Sequence, residues 1–205
     1  TFKQSKEVLK QLLKDEKVSK SNVYVDTIIS PSYTSALAQV IQLSSISGKG
    51  NNLILLAFEE SEKERFIEIL SNFKLLQSTG FDVAIYKTDE QRKGKKEEIH
   101  VWISSRDYEN SNMMILLSYI ISSHPDWKNA KIKVFSIYPN QGEFENYKNR
   151  MFSFIESGRL PISPLNLKMI PQNEEEGIKS IINKHSEKAD LTIVGFRREV
   201  VKKQK

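Results

Sequence analysis

Short apolar runs and helical stripes alternate along this chain. Runs rich in β-branched and aromatic residues fall at Val23 to Ile29, Leu53 to Phe58, Phe81 to Tyr86, Ile99 to Ile103, Ile132 to Tyr138, Leu165 to Ile170 and Leu191 to Phe196. Between them, apolar residues recur three and four apart: Phe2, Val8, Leu9, Leu12 and Leu13; Ala36, Val40, Ile41 and Ile46; Phe66, Ile69, Leu70, Phe73 and Leu76; Phe144, Tyr147, Met151, Phe154 and Ile155; Ile178, Ile181, Ile182 and His185. Strands that are apolar on both faces and alternate with helices predict an α/β fold with mainly parallel sheets flanked by helices. The most legible unit is the strand at Ile99 to Ile103, a polar turn, a helix from Asn112 to Ser122 closed by Pro125, and a returning strand from Ile132. That order is a βαβ unit.

The two halves repeat each other. Strand, helix and Asn52 to Glu60 in the first half answer strand, helix and Asp190 to Arg198 in the second, and the helix Phe2 to Lys14 answers Phe144 to Glu156. The first copy has no counterpart of Ile99 to Tyr138, so it is expected to be incomplete at its N-terminus, within a longer polypeptide. The boundaries that follow are a first repeat over 1–87, a polar linker or loop over 88–97, and a second repeat over 98–205 that ends in a basic tail. The stretch Lys87 to Glu98 has no apolar side chain to bury, which is why it reads as solvated.

At 205 residues and 39% hydrophobic content the chain can bury a substantial core. It contains no apolar run of the roughly 18 residues a membrane-spanning helix needs, and Thr1-Phe2-Lys3-Gln4 opens into an amphipathic helix rather than a signal peptide. Without cysteine, disulfides, thiol catalysis and thiolate metal sites are excluded. The net charge of +5 sits at the ends. Lys3, Lys6, Lys10, Lys14, Lys17 and Lys20 outnumber Glu7, Asp15 and Glu16, and Arg197, Arg198, Lys202, Lys203 and Lys205 outnumber Glu199, leaving the body of the chain slightly acidic. With no helix-turn-helix or RNA-binding signature and no interleaved aromatics, no nucleic-acid partner is expected.

Catalytic chemistry is hard to find. Phosphate binding at a parallel sheet needs glycines between a strand and the following helix. After Phe58 the chain reads Glu59-Glu60-Ser61-Glu62, which repels phosphate, and after Gly195 it reads Phe196-Arg197-Arg198. Gly48-Lys49-Gly50 follows a helix and precedes a strand, the order of a C-cap and turn. His100, His124 and His185 lack ligand-spaced partners and read as packed or capping residues, while Glu174, Glu175 and Glu176 fan around a helix start. No nucleophile-elbow, zinc-protease or Walker motif occurs. The chain is expected to be no enzyme, with no cofactor, no metal and no small-molecule ligand.

Two surfaces stand out. The helix Asn112 to Ser122 is apolar at Met113, Met114, Ile115, Leu116, Leu117, Tyr119, Ile120 and Ile121, wider than the roughly 100° stripe one sheet requires. Met114, Ile115 and Tyr119 are therefore candidate interface residues, and a homodimer is the expected assembly. Lys3, Lys6, Lys10, Lys14 and Lys17 recur three and four apart on the first helix, a candidate face toward anionic lipid or the acidic loops of a transporter.

Val101-Trp102, the helix Met114 to Ile121, and Trp127-Lys128-Asn129-Ala130-Lys131-Ile132-Lys133-Val134-Phe135 resemble, in the same order, segments of the cytosolic C-terminal domain of the cation-chloride cotransporters. Many eukaryotic members place an acidic residue and paired glycines after the Trp strand. This chain has Arg106-Asp107-Tyr108-Glu109-Asn110 there, closer to a prokaryotic member. The resemblance implies a universal-stress-protein-like α/β fold and a regulatory and dimerisation role on the cytoplasmic side of the plasma membrane. It further implies a transmembrane transport domain on the same polypeptide, carrying chloride with sodium and/or potassium. Two other readings stand beside it: a free-standing nucleotide-binding protein of the universal-stress type, and an interaction domain of another membrane transporter.

Overall fold

The computed structural model describes residues 2–19, 24–43, 51–89, 94–104, 108–157, 162–172 and 176–196. They form two compact units, Thr1–Gln91 and Arg92–Lys205.

The first unit contains α1 (Phe2–Ser19), α2 (Tyr33–Val40), β1 (Leu53–Glu59), α3 (Lys63–Ser71), α4 (Phe73–Ser78) and β2 (Asp82–Thr88). β1 and β2 pair in parallel, from Leu53 opposite Asp82 to Glu59 opposite Thr88. Among its described residues, Leu37, Ile69, Phe73 and Leu76 are the buried apolar ones. The stripe from Phe66 to Leu76 predicts one helix, and the chain makes two. Asn72 turns its side-chain amide back onto the Glu68 carbonyl at 2.9 Å, which interrupts the helix and lets it restart at Phe73. Gly80, at φ +73°, then supplies a left-handed turn into β2 that a side chain would strain. Val23 lies outside the described residues, and the rest of the expected strand does not form: residues 24–30 are irregular, with Tyr24 and Ile29 exposed. Among the described residues no strand lies beside it, and a lone extended segment has no ladder to complete. Gly48-Lys49-Gly50 lies outside the described residues.

The second unit contains β3 (Glu98–Ser104), α5 (Tyr108–Ser122), β4 (Lys131–Tyr138), α6 (Phe144–Glu156), β5 (Leu167–Pro171), α7 (Ile178–His185) and β6 (Leu191–Val194). The strands form one parallel sheet in the order β5-β4-β3-β6. The steps β3 to β4 to β5 run one way across the sheet and the step to β6 runs back. Because crossovers are right-handed, α5 and α6 must then cover one face and α7 the other. The packing agrees: Met114, Ile115, Met151, Phe154 and Ile155 sit with Ile99, Val101, Ile103 and Val134, whereas Ile181 and Ile182 sit with Trp102, Phe135 and Ile137. Expected strand ends shift where the chain turns. β5 starts at Leu167 because Pro164 to Asn166 form a 3₁₀ turn that leaves Leu165 exposed.

Part of the expected polar linker is fastened to the second unit. Residues 90–93 lie outside the described residues, but 94–97 are fastened to the second unit. The Glu97 carbonyl accepts from Lys131 N–H at 2.8 Å. Lys96, in the left-handed region at φ 59°, reaches Asp126. Among the described residues no helix is long and apolar enough to cross a membrane.

Candidate functional site

The period of two along β3 decides what this sheet presents. Ile99, Val101 and Ile103 enter the core beneath α5 and α6, so His100 and Trp102 must face α7. Both are buried, at 3% exposure each. Trp102 stacks on Phe135 of β4 with ring centroids 4.6 Å apart, and the His185 ring stands edge-on to Trp102 at 6.1 Å.

A hydrogen-bonded chain runs across this face. Trp102 Nε1 donates to Ser186 Oγ at 2.9 Å; Ser186 Oγ lies 3.0 Å from His100 Nδ1; His100 Nε2 lies 3.0 Å from Glu98 Oε2; and Lys133 Nζ donates to Glu98 Oε1. Indole is only a donor, so Ser186 is free to give its own proton to Nδ1. That assigns the neutral imidazole proton to Nε2, where it points at Glu98. Burial pushes the His100 pKa below its ordinary 6.5, against the pull of Glu98. The ammonium of Lys133, bonded to Glu98, with a further contribution from His100, overcomes burial and holds that carboxyl below 4.5.

Serine, histidine and carboxylate in line match the order of a hydrolytic triad, a relation that sequence spacing did not reveal. Ser186 Oγ, however, is buried and occupied by the indole, so an acyl carbon has no approach to it. The arrangement is a clamp that fastens the turn between α7 and β6 to the centre of the sheet. Beside it opens a cleft of about 410 Å³ lined by Glu98, His100, Lys133, Phe135, Lys168, Lys184 and His185. It lies at the amino ends of the strands. Ligands of open α/β sheets bind at the carboxyl ends, at the switch point, which here falls between β3 and β6. Residues 105–107 and 197–205, which follow β3 and the end of the described chain after β6, lie outside the described residues. Among the described residues no cluster of metal-ligating side chains occurs.

The other candidates divide. Met114 and Ile115, 5% and 0% exposed, are consumed by the core of their own unit, so they are corrected from interface to core residues. The helix faces its sheet through these two and Ser118, all buried, with Ile121 partly buried beside them. Tyr119 is 42% exposed, joined outward by Leu116 and Ile120 at 52% and 55%. Lys3, Lys6, Lys10, Lys14 and Lys17 are exposed along α1. His124 caps the 3₁₀ turn at Pro125, accepting from Asp126 N–H at 3.2 Å. Of the glutamate trio, Glu176 bonds Ser180 at 3.1 Å, and Glu174 and Glu175 lie outside the described residues.

Acid is expected to loosen the second unit in two stages. The unfolded chain protonates His100 near 6.5, whereas the folded chain keeps it neutral, so stability falls as pH drops below that value. A further loss follows below about 4.5, where unfolded Glu98 takes up a proton that the folded carboxylate resists. Urea midpoints measured from pH 7 to pH 4 check this, with His100→Gln expected to flatten the upper stage. A midpoint constant between pH 7 and pH 5 would contradict it.

Three comparisons bear on identity. No curated protein matches the chain. The crystal structure of the cytoplasmic domain of a prokaryotic cation chloride cotransporter superposes with a TM-score of 0.56 at 19% identity, covering 82% of this chain and 63% of that one. This chain thus spans less than two thirds of that domain, and the likeness establishes the shared α/β fold. The model of the family described as solute carrier family 12 matches residues 59–200. Since that match runs from the last residue of β1 past the end of β6, through the whole described sheet of the second unit, this chain belongs to solute carrier family 12.

Proposed function

We propose that this chain is the cytosolic regulatory and dimerisation domain of a secondary transporter that moves chloride with sodium and/or potassium across the plasma membrane. A membrane-embedded transport part of the same polypeptide would hold it at the cytoplasmic face. The observation that carries the reading is the family match over residues 59–200, made on a fold shared with a cotransporter's cytoplasmic domain. In this reading the domain holds no transported ion. It joins subunits and biases the conformation of the transport part.

The outward face of α5 supports the joining role. Leu116, Tyr119 and Ile120 expose apolar surface beside one another on a helix whose inner face is already filled, and such surface marks a partner site. A twofold pairing of identical chains is the commonest way to cover it. Sedimentation equilibrium at tens of micromolar is expected to give twice the chain mass, and Leu116→Glu and Ile120→Glu, folded by circular dichroism, are expected to give the monomer. In cells expressing the full transporter, Ile120→Glu should lower chloride-dependent cation uptake severalfold. A strictly monomeric wild type would reject the dimer, and uptake indifferent to a variant that is monomeric would reject the regulatory role.

A further inference from the structure

On α1, at 100° per residue, Lys6, Lys17, Lys10, Lys3 and Lys14 fall within an arc of about 80°. Glu7 borders the arc on one side, and Asp15 and Glu16 lie well round the helix. Among the described residues none of these lysines has an ion-pair partner. On its other side the arc is bordered by Phe2 and Leu13, which remain 67% and 41% exposed. The helix is held to its unit from a different direction, where Ser5 bonds Thr27 at 2.7 Å. A merely solvated helix gains from interspersing its charges at i and i+4; apart from Glu7, four residues after Lys3 at the edge of the arc, this one segregates them.

We infer that the lysine ridge of α1 is a docking surface for an anionic lipid bilayer. The inference rests on the reading of this chain as part of a membrane transporter, which places it beside a bilayer. The ridge is straight, convex and about 21 Å from Lys3 to Lys17 at 1.5 Å per residue. A flat negative leaflet meets all of its ammonium groups at once, and Phe2 and Leu13 gain apolar cover at the headgroup boundary. An acidic peptide would need a groove to follow, and a single convex helix provides none.

The test is co-sedimentation of the 205-residue chain with vesicles of phosphatidylcholine alone or with about one third phosphatidylserine. Binding is expected only to the anionic vesicles, lost in half-molar salt, which shortens the screening length to about 4 Å. Lys3→Gln/Lys10→Gln/Lys14→Gln keeps helix propensity and should lower the partition coefficient about a hundredfold. Lys179→Gln/Lys184→Gln/Lys188→Gln, an equal change in net charge, should leave it within about threefold. Several results would overturn the inference: no binding, equal binding to neutral vesicles, equal loss in both variants, or an α1 variant that keeps vesicles while losing capture by polyglutamate, which would assign the ridge to an acidic protein. The dimer is read from mass and this contact from vesicle partition, so failure of one is told apart from failure of the other.

Discussion

Trp102→Ala is expected to destabilise the second unit by about 3–5 kcal/mol, the range for deleting a large buried aromatic. The indole is 3% exposed and stacks on Phe135 in the middle of the sheet. Its loss also removes the donor that occupies Ser186 Oγ, loosening the bond that orients His100. Trp102→Phe separates these contributions: the stack is kept and the N–H is lost, for an expected cost of about 1–2 kcal/mol. Urea unfolding followed by circular dichroism measures both. Equal costs for the two variants would mean that the hydrogen-bonded chain, and not the aromatic packing, dominates this face.

Gly94→Ala is expected to cost about 2–4 kcal/mol, although glycine here sits in a charged stretch that sequence alone reads as solvated. A Cβ at Gly94 would overlap Asp190 Oδ1 and lie 3.0 Å from its Cγ. Asp190 cannot yield cheaply, because its Oδ2 accepts from the N–H groups of Glu97 at 2.6 Å and Glu98 at 2.9 Å, tying the start of β6 to the start of β3. Burial acts to raise the Asp190 pKa, but the backbone N–H groups of Glu98, Glu97, Lys96 and Lys95 together outweigh it and leave the carboxyl below its usual 3.8. Each charge-assisted bond is worth about 1.5–3 kcal/mol. If displacement of Asp190 is the mechanism, adding Gly94→Ala to Asp190→Ala should cost little more than Asp190→Ala alone. Full additivity of the two costs would point to another cause.

These two residues mark where reading the chain stops being local. Trp102 is legible as one member of an apolar strand, and the period of two even fixes which residues share its face. Nothing along the chain says that Ser186, 84 positions later, supplies its partner. The pattern reads His100 as packed, and its bonding to Ser186 depends on a crossover that carries α7 back over the sheet. The interface reading failed at Met114 and Ile115 for a related reason. A helix apolar nearly all round announces that it has two partners without saying which side chains meet which.

By itself the sequence determined the α/β class, the strands of the second unit, the helices between them and the family resemblance that the match over residues 59–200 supports. Those signals live in local periodicity and in contiguous residues, which need no knowledge of distant chain. Tertiary structure alone decided that residues 24–30 find no strand to pair with among the described residues, that Gly94 is fastened beneath Asp190, and which half of α5 remains exposed. Each of these depends on what stands opposite a residue in space. Burial and hydrogen bonding are set by that neighbour, however plainly the pattern along the chain is written.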